Sequence, residues 1–357
     1  MGEENTSLKE RYSRYTIRKI FFVILCILGA FSLFWLSVTI GTLVLSPEEV
    51  YSLIIRNITG AEIPAEEWYN NLVVWNYRVP RALIGIICGA CLGVAGAVMQ
   101  SVMKNPLADP YTTGVSSGAL FGVALAAIMG FSIWKGGMMM SMTLIYALSL
   151  AIAPVLVIIF FASFFRKSPS SLILAGIAIS YLFNSLTTLI LVTTDSETLA
   201  NVYSWQIGSF DGLGWSSIPM PLAITIIGMA ITLPISKKLN LMTLDDSDAK
   251  SLGLDTDLLR TVCLLVVAVM AGTVICFVGI IGFIGLVIPH ITRLILGSDN
   301  KFIIPASAAL GAVFLLGCDV ITRSMDIAAV LPVGVITGLI GAPIFLYLII
   351  SSKKGVW

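Results

Sequence analysis

The 357-residue chain is 57% hydrophobic and only 11% charged, with a mean hydropathy of +0.98, which excludes an ordinary soluble globular protein. Its formal net charge of +1 comes from dispersed basic residues, so nothing points to nucleic acid. The six cysteines, Cys26, Cys88, Cys91, Cys263, Cys276 and Cys318, lie in apolar runs and read as small buried hydrophobes, with neither disulfide nor metal site inferred.

A membrane-spanning helix needs about 20 apolar residues. Ten segments qualify, at 20–45, 80–103, 114–131, 140–165, 171–193, 215–235, 258–279, 282–297, 303–323 and 332–351. The chain therefore reads as an all-α polytopic membrane protein. A basic segment at 1–19 precedes a single membrane domain at 20–351, and a short tail follows at 352–357. The apolar run from Ile20 to Leu45 is too long for a signal-peptide core and lacks a cleavage site, so it reads as the first span.

The second span is the most informative. Pro80 sits where a helix can start, because a missing N–H costs nothing in the first turn. Gly85, Gly89, Gly93 and Gly96 then fall on one face, which predicts close approach by another helix. The run stops at Lys104, where Asn105, Pro106, Asp109 and Pro110 oppose a helix, and apolar sequence resumes after Gly114. The third and eighth spans are short, Gly-interrupted and preceded by such breaks, which predicts non-helical backbone buried in protein or lining a cavity.

With the N-terminus inside, sixteen Lys and Arg fall on the inner side and five on the outer, which predicts both termini in the cytoplasm. The outer five are Arg56, Arg78, Arg81, Lys135 and Arg323. Arg78 and Arg81 share a face at the expected start of a helix, against its dipole, so they and Arg323 require anions. Pairing with Asp319 or Asp326, lipid phosphate, or acidic groups of a docking protein would each supply them. On the inner side, 241–260 forms the longest loop, with alternating acids and leucines, and reads as two short surface helices joined at Gly253.

The motifs RVPR at 78–81, GAVMQ at 96–100, NPLADP at 105–110, GVSSG at 114–118, GFIGLVIPH at 282–290 and LPVGVITGLIGAP at 331–343 occur together and in order. In these the chain closely resembles the FecCD-type family of ABC importer permeases for ferric siderophores, haem and cobalamin. The resemblance covers nearly everything after about Trp75. It implies a cobalamin-permease-like fold in the cytoplasmic membrane of a prokaryote, and a second permease copy or close paralogue as partner. It also implies two ABC ATPase subunits carrying the ATP and Mg, an extracytoplasmic substrate-binding protein, a metal chelate as substrate, and no cofactor in this chain.

By the same resemblance, Arg78, Arg81 and Arg323 receive glutamates of the binding protein, and Asp245, Asp246, Asp248, Lys250, Leu252 and Gly253 belong to helices seated in the ATPase. Lys250 stands where the family has Arg, Asp245 where it has Gly, and Val330 where the cobalamin permease has a glutamate. Asn105, Leu107, Pro169 and Ser170, within the Ser168–Ser171 segment, match cytoplasmic gate positions.

Two motifs mislead. Gly114 to Gly118 matches G-x-S-x-G, but a nucleophile elbow needs a strand, and the single histidine, His290, lacks an orienting acid. Lys167-Ser168 and Lys250-Ser251 lack the preceding glycine of a phosphate-binding loop, so energy must come from another chain. The alternative classes are an ion-coupled carrier, disfavoured by the lack of mid-helix charges, and an intramembrane enzyme.

Overall fold

The structure, a computed structural model, describes residues 2–131, 138–162, 168–325 and 331–351. The tail at 352–357 and the positions Lys135, Arg166, Lys167, Asp326 and Val330 lie outside the described residues. The helices run α1 (Gly2–Thr39), α2 (Pro47–Thr59), α3 (Trp68–Asn71), α4 (Val79–Val102), α5 (Val115–Ile128), α6 (Met138–Ala162), α7 (Pro169–Val192) and α8 (Ser196–Gln206). They continue as α9 (Pro219–Thr232), α10 (Ser236–Leu241), α11 (Asp246–Ser251), α12 (Thr256–Val278), α13 (Ile284–Leu296), α14 (Asn300–Ser324) and α15 (Val333–Ser351). Among the described residues eight helices are long and apolar enough to cross a membrane and α5 and α13 are shorter apolar ones; from the third span onward they overlap the segments expected from sequence. Among the described residues the only bridge outside helices joins Ile207 and Ile280.

The first two spans differ from expectation. α1 runs unbroken from the basic segment and ends at Thr39, short of Leu45. Ser46 then starts a separate amphipathic helix: its Oγ accepts from Glu49 N at 3.3 Å, its own N–H donates to Glu49 Oε2 at 2.9 Å, and Pro47 takes the first turn. α2 buries Val50, Leu53 and Ile54 and closes on Gly60 at φ +70°.

Pro80 does not start a helix. Helical backbone is continuous over Ala65–Val102, and a π-helical turn at Leu72–Arg78 leads directly into α4. In that turn Val79 N–H donates to Val74 O, and Pro80 has no N–H to offer Trp75 O. The Trp75 carbonyl is taken instead by Trp215 Nε1 at 2.8 Å.

α4 is the central helix, buried along nearly its whole length. A Cβ on Gly89 would lie 2.3 Å from Gly311 O, one on Gly93 2.1 Å from Ser307 O, and one on Gly96 1.9 Å from Gly285 O. Its glycines therefore face the backbones of α14 and α13, whereas Gly85 faces the side chains of Phe210 and Leu316.

The two interrupted spans meet inside the bundle. After α4 the chain turns through Lys104, at φ +50°, into a buried stretch in which Asp109 accepts from Tyr111 N at 2.8 Å and Gly114, at φ +85°, opens α5. After α12, Gly279 and Phe283 adopt φ +78° and +69° and α13 begins. Tyr111 OH donates to Ile281 O at 3.1 Å and Pro110 packs on Gly285, so the first break supplies a donor to a free carbonyl of the second. Ser209 N donates to Val278 O at 2.8 Å, and Gly334 N to Gly208 O at 2.9 Å, beside the second break.

Candidate functional site

At one end of the bundle Arg78, Arg81 and Arg323, from two helical segments far apart in sequence, line one pocket of about 180 Å³. Arg78 is 5% exposed and donates to the carbonyls of Val38 at 3.1 Å, Thr39 at 3.0 Å and Leu43, with its guanidinium flat against Gly41. Arg323 donates to Ser37 O at 2.8 Å, Ile40 O at 2.7 Å and Ser37 Oγ. Both arginines therefore cap the C-terminal end of α1, the negative end of its dipole.

The objection that Arg78 sits against a helix dipole is thereby corrected. No helix starts at Pro80, and the terminus that Arg78 meets is a carbonyl-rich one. The anions are supplied partly from within. The fully buried Asp319 carboxylate binds Arg81 Nε at 2.9 Å and Arg323 Nη2 at 2.7 Å, and Asp211 binds Arg81 Nη1 at 2.6 Å. Among the described residues three guanidiniums thus stand against two carboxylates. Asp211 escaped the sequence reading; it stands in a loop held by Ser209, whose Oγ donates to Asp211 Oδ2 at 2.8 Å.

At the opposite end of α4 lies the loop at 241–260. In place of the two short helices expected to join at Gly253, it holds one, α11, which 242–245 connects to the preceding α10. Gly253, at φ +82°, ends α11: its N–H returns to Lys250 O at 2.9 Å and Leu254 N to Ala249 O at 3.1 Å, after which α12 begins. Asp245 and Asp248 are exposed, Leu252 is 63% exposed, and Lys250 pairs with Asp257 at 2.9 Å.

Asp246 faces inward, holding Lys104 Nζ at 2.7 Å and Arg260 Nη2 at 3.1 Å. Burial pushes the Asp246 carboxyl up, but the hydrogen bonds and charges of Lys104 and Arg260 outweigh it and hold the group below the usual carboxylate range. Asp246, 36% accessible at its side chain, thus also binds two groups of its own chain.

Asn105 Oδ1 accepts from Leu107 N at 2.9 Å and so builds the turn that leaves Leu107 46% exposed. Pro169 is the first residue of α7, after Ser168, whose Oγ accepts from Ser171 N at 3.2 Å, and Ser170 is exposed. Among the described residues no hydrogen bond joins these two segments. Nearby, Arg293, one of the sixteen basic residues counted on the inner side, is 3% exposed and donates to Ala97 O at 3.1 Å and Ser101 Oγ at 2.7 Å. Ser117, in the misleading G-x-S-x-G stretch, donates to Gly114 O at 2.9 Å in the first turn of α5.

Comparison with known proteins is consistent across sequence and structure. The model of the FecCD transport family matches residues 25–351. The vitamin B12 import system permease protein of Klebsiella pneumoniae is 36% identical over 310 residues, 85% of this chain and 91% of that protein. The Fe(3+)-citrate import system permease protein of Bacillus subtilis is 34% identical over 285 residues, 80% of this chain and 82% of that protein. A solved metal-chelate type ABC transporter in an inward-facing conformation superposes with a TM-score of 0.77 at 28% identity, covering 94% of this chain and 99% of that one.

Proposed function

Because the chain belongs to the FecCD transport family, made up of ABC transporter permease subunits that are not themselves enzymes, we propose that it imports a metal chelate as the membrane subunit of a binding-protein-dependent transporter. A ferric siderophore is the leading cargo, with cobalamin, haem or molybdate as alternatives. Relatives named for vitamin B12 and for ferric citrate are 36% and 34% identical to this chain, so overall similarity does not separate the cargoes.

In this reading two copies, or this chain and a close paralogue, enclose a path on a two-fold axis in the cytoplasmic membrane of a prokaryote, with both termini in the cytoplasm. Two ABC ATPase subunits, which carry the ATP and Mg, seat the α10–α11 hairpin. Asn105, Leu107, Pro169 and Ser170 then lie at the inner mouth. Tyr181, 71% exposed, and the exposed Asn184 and Thr188 on α7 support a path or second copy on that face, because polar groups are unfavourable against hydrocarbon.

The observation that carries the proposal is the arginine pocket. Three guanidiniums, two carboxylates and a 180 Å³ recess suit a carboxylate projecting from a soluble binding protein. Arg78 and Arg323 are already engaged with α1, so the partner meets the net charge of the pocket rather than free guanidinium groups. Docking driven by such charge slows as salt shortens the Debye length from about 8 Å at physiological ionic strength.

The test is reconstitution in liposomes with the ATPase and binding protein, offering radiolabelled ferric hydroxamate and then the three alternatives, cobalamin, haem and molybdate. Ferric hydroxamate uptake that requires both ATP and the binding protein is expected. Uptake of none of the four, or uptake indifferent to ATP, refutes the proposal.

A further inference from the structure

The ion pair between Lys104 and Asp246 spans 142 residues and joins the non-helical loop after α4 to the first turn of α11. Lys104 Nζ holds Asp246 Oδ1 at 2.7 Å and also donates to Leu244 O, so it grips both the linker before α11 and that helix's first residue. Its own backbone is constrained. Lys104 and Phe283 are the two non-glycine residues with positive φ among the described residues. A lysine at φ +50° fixes where the chain turns, and the next residue, Asn105, builds the turn that presents Leu107.

The far side of Asp246 is anchored separately. Arg260, 1% exposed in the first turns of α12, donates to both Asp246 oxygens, at 3.1 and 3.2 Å. Asp257, which pairs with Lys250 at 2.9 Å, also stands 3.7 Å from Arg260 Nη1. Removing Lys104 would therefore leave α11 tied to α12 and detach only the loop at 103–109.

We propose that Lys104 is a positioning residue that transmits displacement of α11 to the loop carrying Asn105 and Leu107 through its ion pair with Asp246. This rests on the reading of α10–α11 as the hairpin seated in the ATPase. Lys104 Nζ is the donor that links the two elements, whereas the bonds of Asp246 to Arg260 stay within one hairpin and the helix it leads into. The pair is partly exposed, with side-chain accessibilities of 21% and 36%, so it adds little to stability and suits a contact whose value is mechanical. Coupling of this kind requires that both elements be biased by one event, which makes it measurable.

The experiment uses the full permease–ATPase complex with a reporter cysteine, Leu107→Cys; the six native cysteines are buried. A membrane-impermeant maleimide reports the accessibility of position 107 in the nucleotide-free and ATP–vanadate-trapped states. Leu107→Cys with native Lys104 should label at different rates in the two states. Adding Lys104→Gln should diminish that difference by about fivefold or more, the lower range of allosteric couplings, while ATPase co-purification and basal hydrolysis persist. Lys104→Arg should restore the response, which a general loosening of the loop would not permit.

An undiminished nucleotide response in Lys104→Gln overturns the proposal while leaving the importer reading intact. Loss of ATPase co-purification in Lys104→Gln also overturns it, because Lys104 would then serve assembly rather than transmission. Failure of the chain with native Lys104 to bind an ATPase subunit overturns the importer reading and this inference with it.

Discussion

Replacing Gly89 with alanine tests whether the α4–α14 contact is as close as the backbone geometry requires. The new methyl would lie 2.3 Å from Gly311 O and 3.0 Å from the Ala312 Cα, and a methyl on Gly311 would lie 2.2 Å from Gly89 O. Both obstacles are backbone, so no side-chain rotation relieves them. The helices must part by roughly 0.7 Å before the shorter of the Gly89 contacts reaches even 3.0 Å. Overpacking of this kind costs about 1–3 kcal/mol, and even the lower end shifts the folding equilibrium about fivefold.

The two sites share one gap, so the second methyl should enter space opened by the first. Gly89→Ala with Gly311→Ala should therefore cost less than the sum of the singles by about 0.5 kcal/mol or more. Equilibrium unfolding in mixed micelles, followed by far-UV ellipticity, measures all three variants. Gly338→Ala is the control, since its Cβ would meet nothing within 4 Å and alanine favours a helix. If Gly89→Ala is as stable as Gly338→Ala, or the double variant is additive, the account of backbone-to-backbone packing is wrong.

Two further predictions concern charge. Asp319→Asn keeps the shape of a fully buried group but leaves Arg81, 2.9 Å away, and Arg323, 2.7 Å away, without their shared anion, so it should cost about 3–5 kcal/mol in the same assay; a loss below about 1 kcal/mol would place that pocket in the class of solvated surface pairs. Asp246 has its folded-state carboxyl held below its ordinary value of 3.8, so its tether is complete above that value and is lost only as pH falls through the lowered one. Hydrogen exchange at 246–251 should then be flat across neutral and mildly acidic pH, once corrected for intrinsic rates, and rise only in stronger acid, a rise absent in Asp246→Asn. A transition near neutral pH would contradict the assignment.

Legibility in the sequence followed the range of the interaction. Proline and glycine act locally, so the breaks after Val102 and Val278 could be read directly, and the span expected at 171–193 was observed as Pro169–Val192. The capping box of Ser46 and Glu49 was equally local and could have revealed α2. Pro80 was ambiguous because a missing N–H is tolerated both in a first turn and beside a π-helical one.

The pairing of Arg323 with Asp319, four residues away, was local and expected, but the other partners of the arginines had no local signature. Arg81 meets Asp319 across 238 residues and Asp211 across 130, and Arg323 meets Ser37 across 286. The commitment of Asp246 to Lys104 was hidden in the same way, although composition had marked its loop as charged and exposed.

The arginine caps on α1 set an order of assembly. α1 leaves the ribosome well before α14, yet most of its packing is against that helix. The carbonyls of Val38 and Thr39 wait some 40 residues for Arg78, and those of Ser37 and Ile40 wait 286 and 283 residues for Arg323. Throughout synthesis of the intervening spans, the end of α1 must draw on water or lipid headgroups for the donors it lacks. α1 is thus fully secured only once α14 is made, and a chain interrupted before Arg323 carries an α1 whose final turn is held by Arg78 alone.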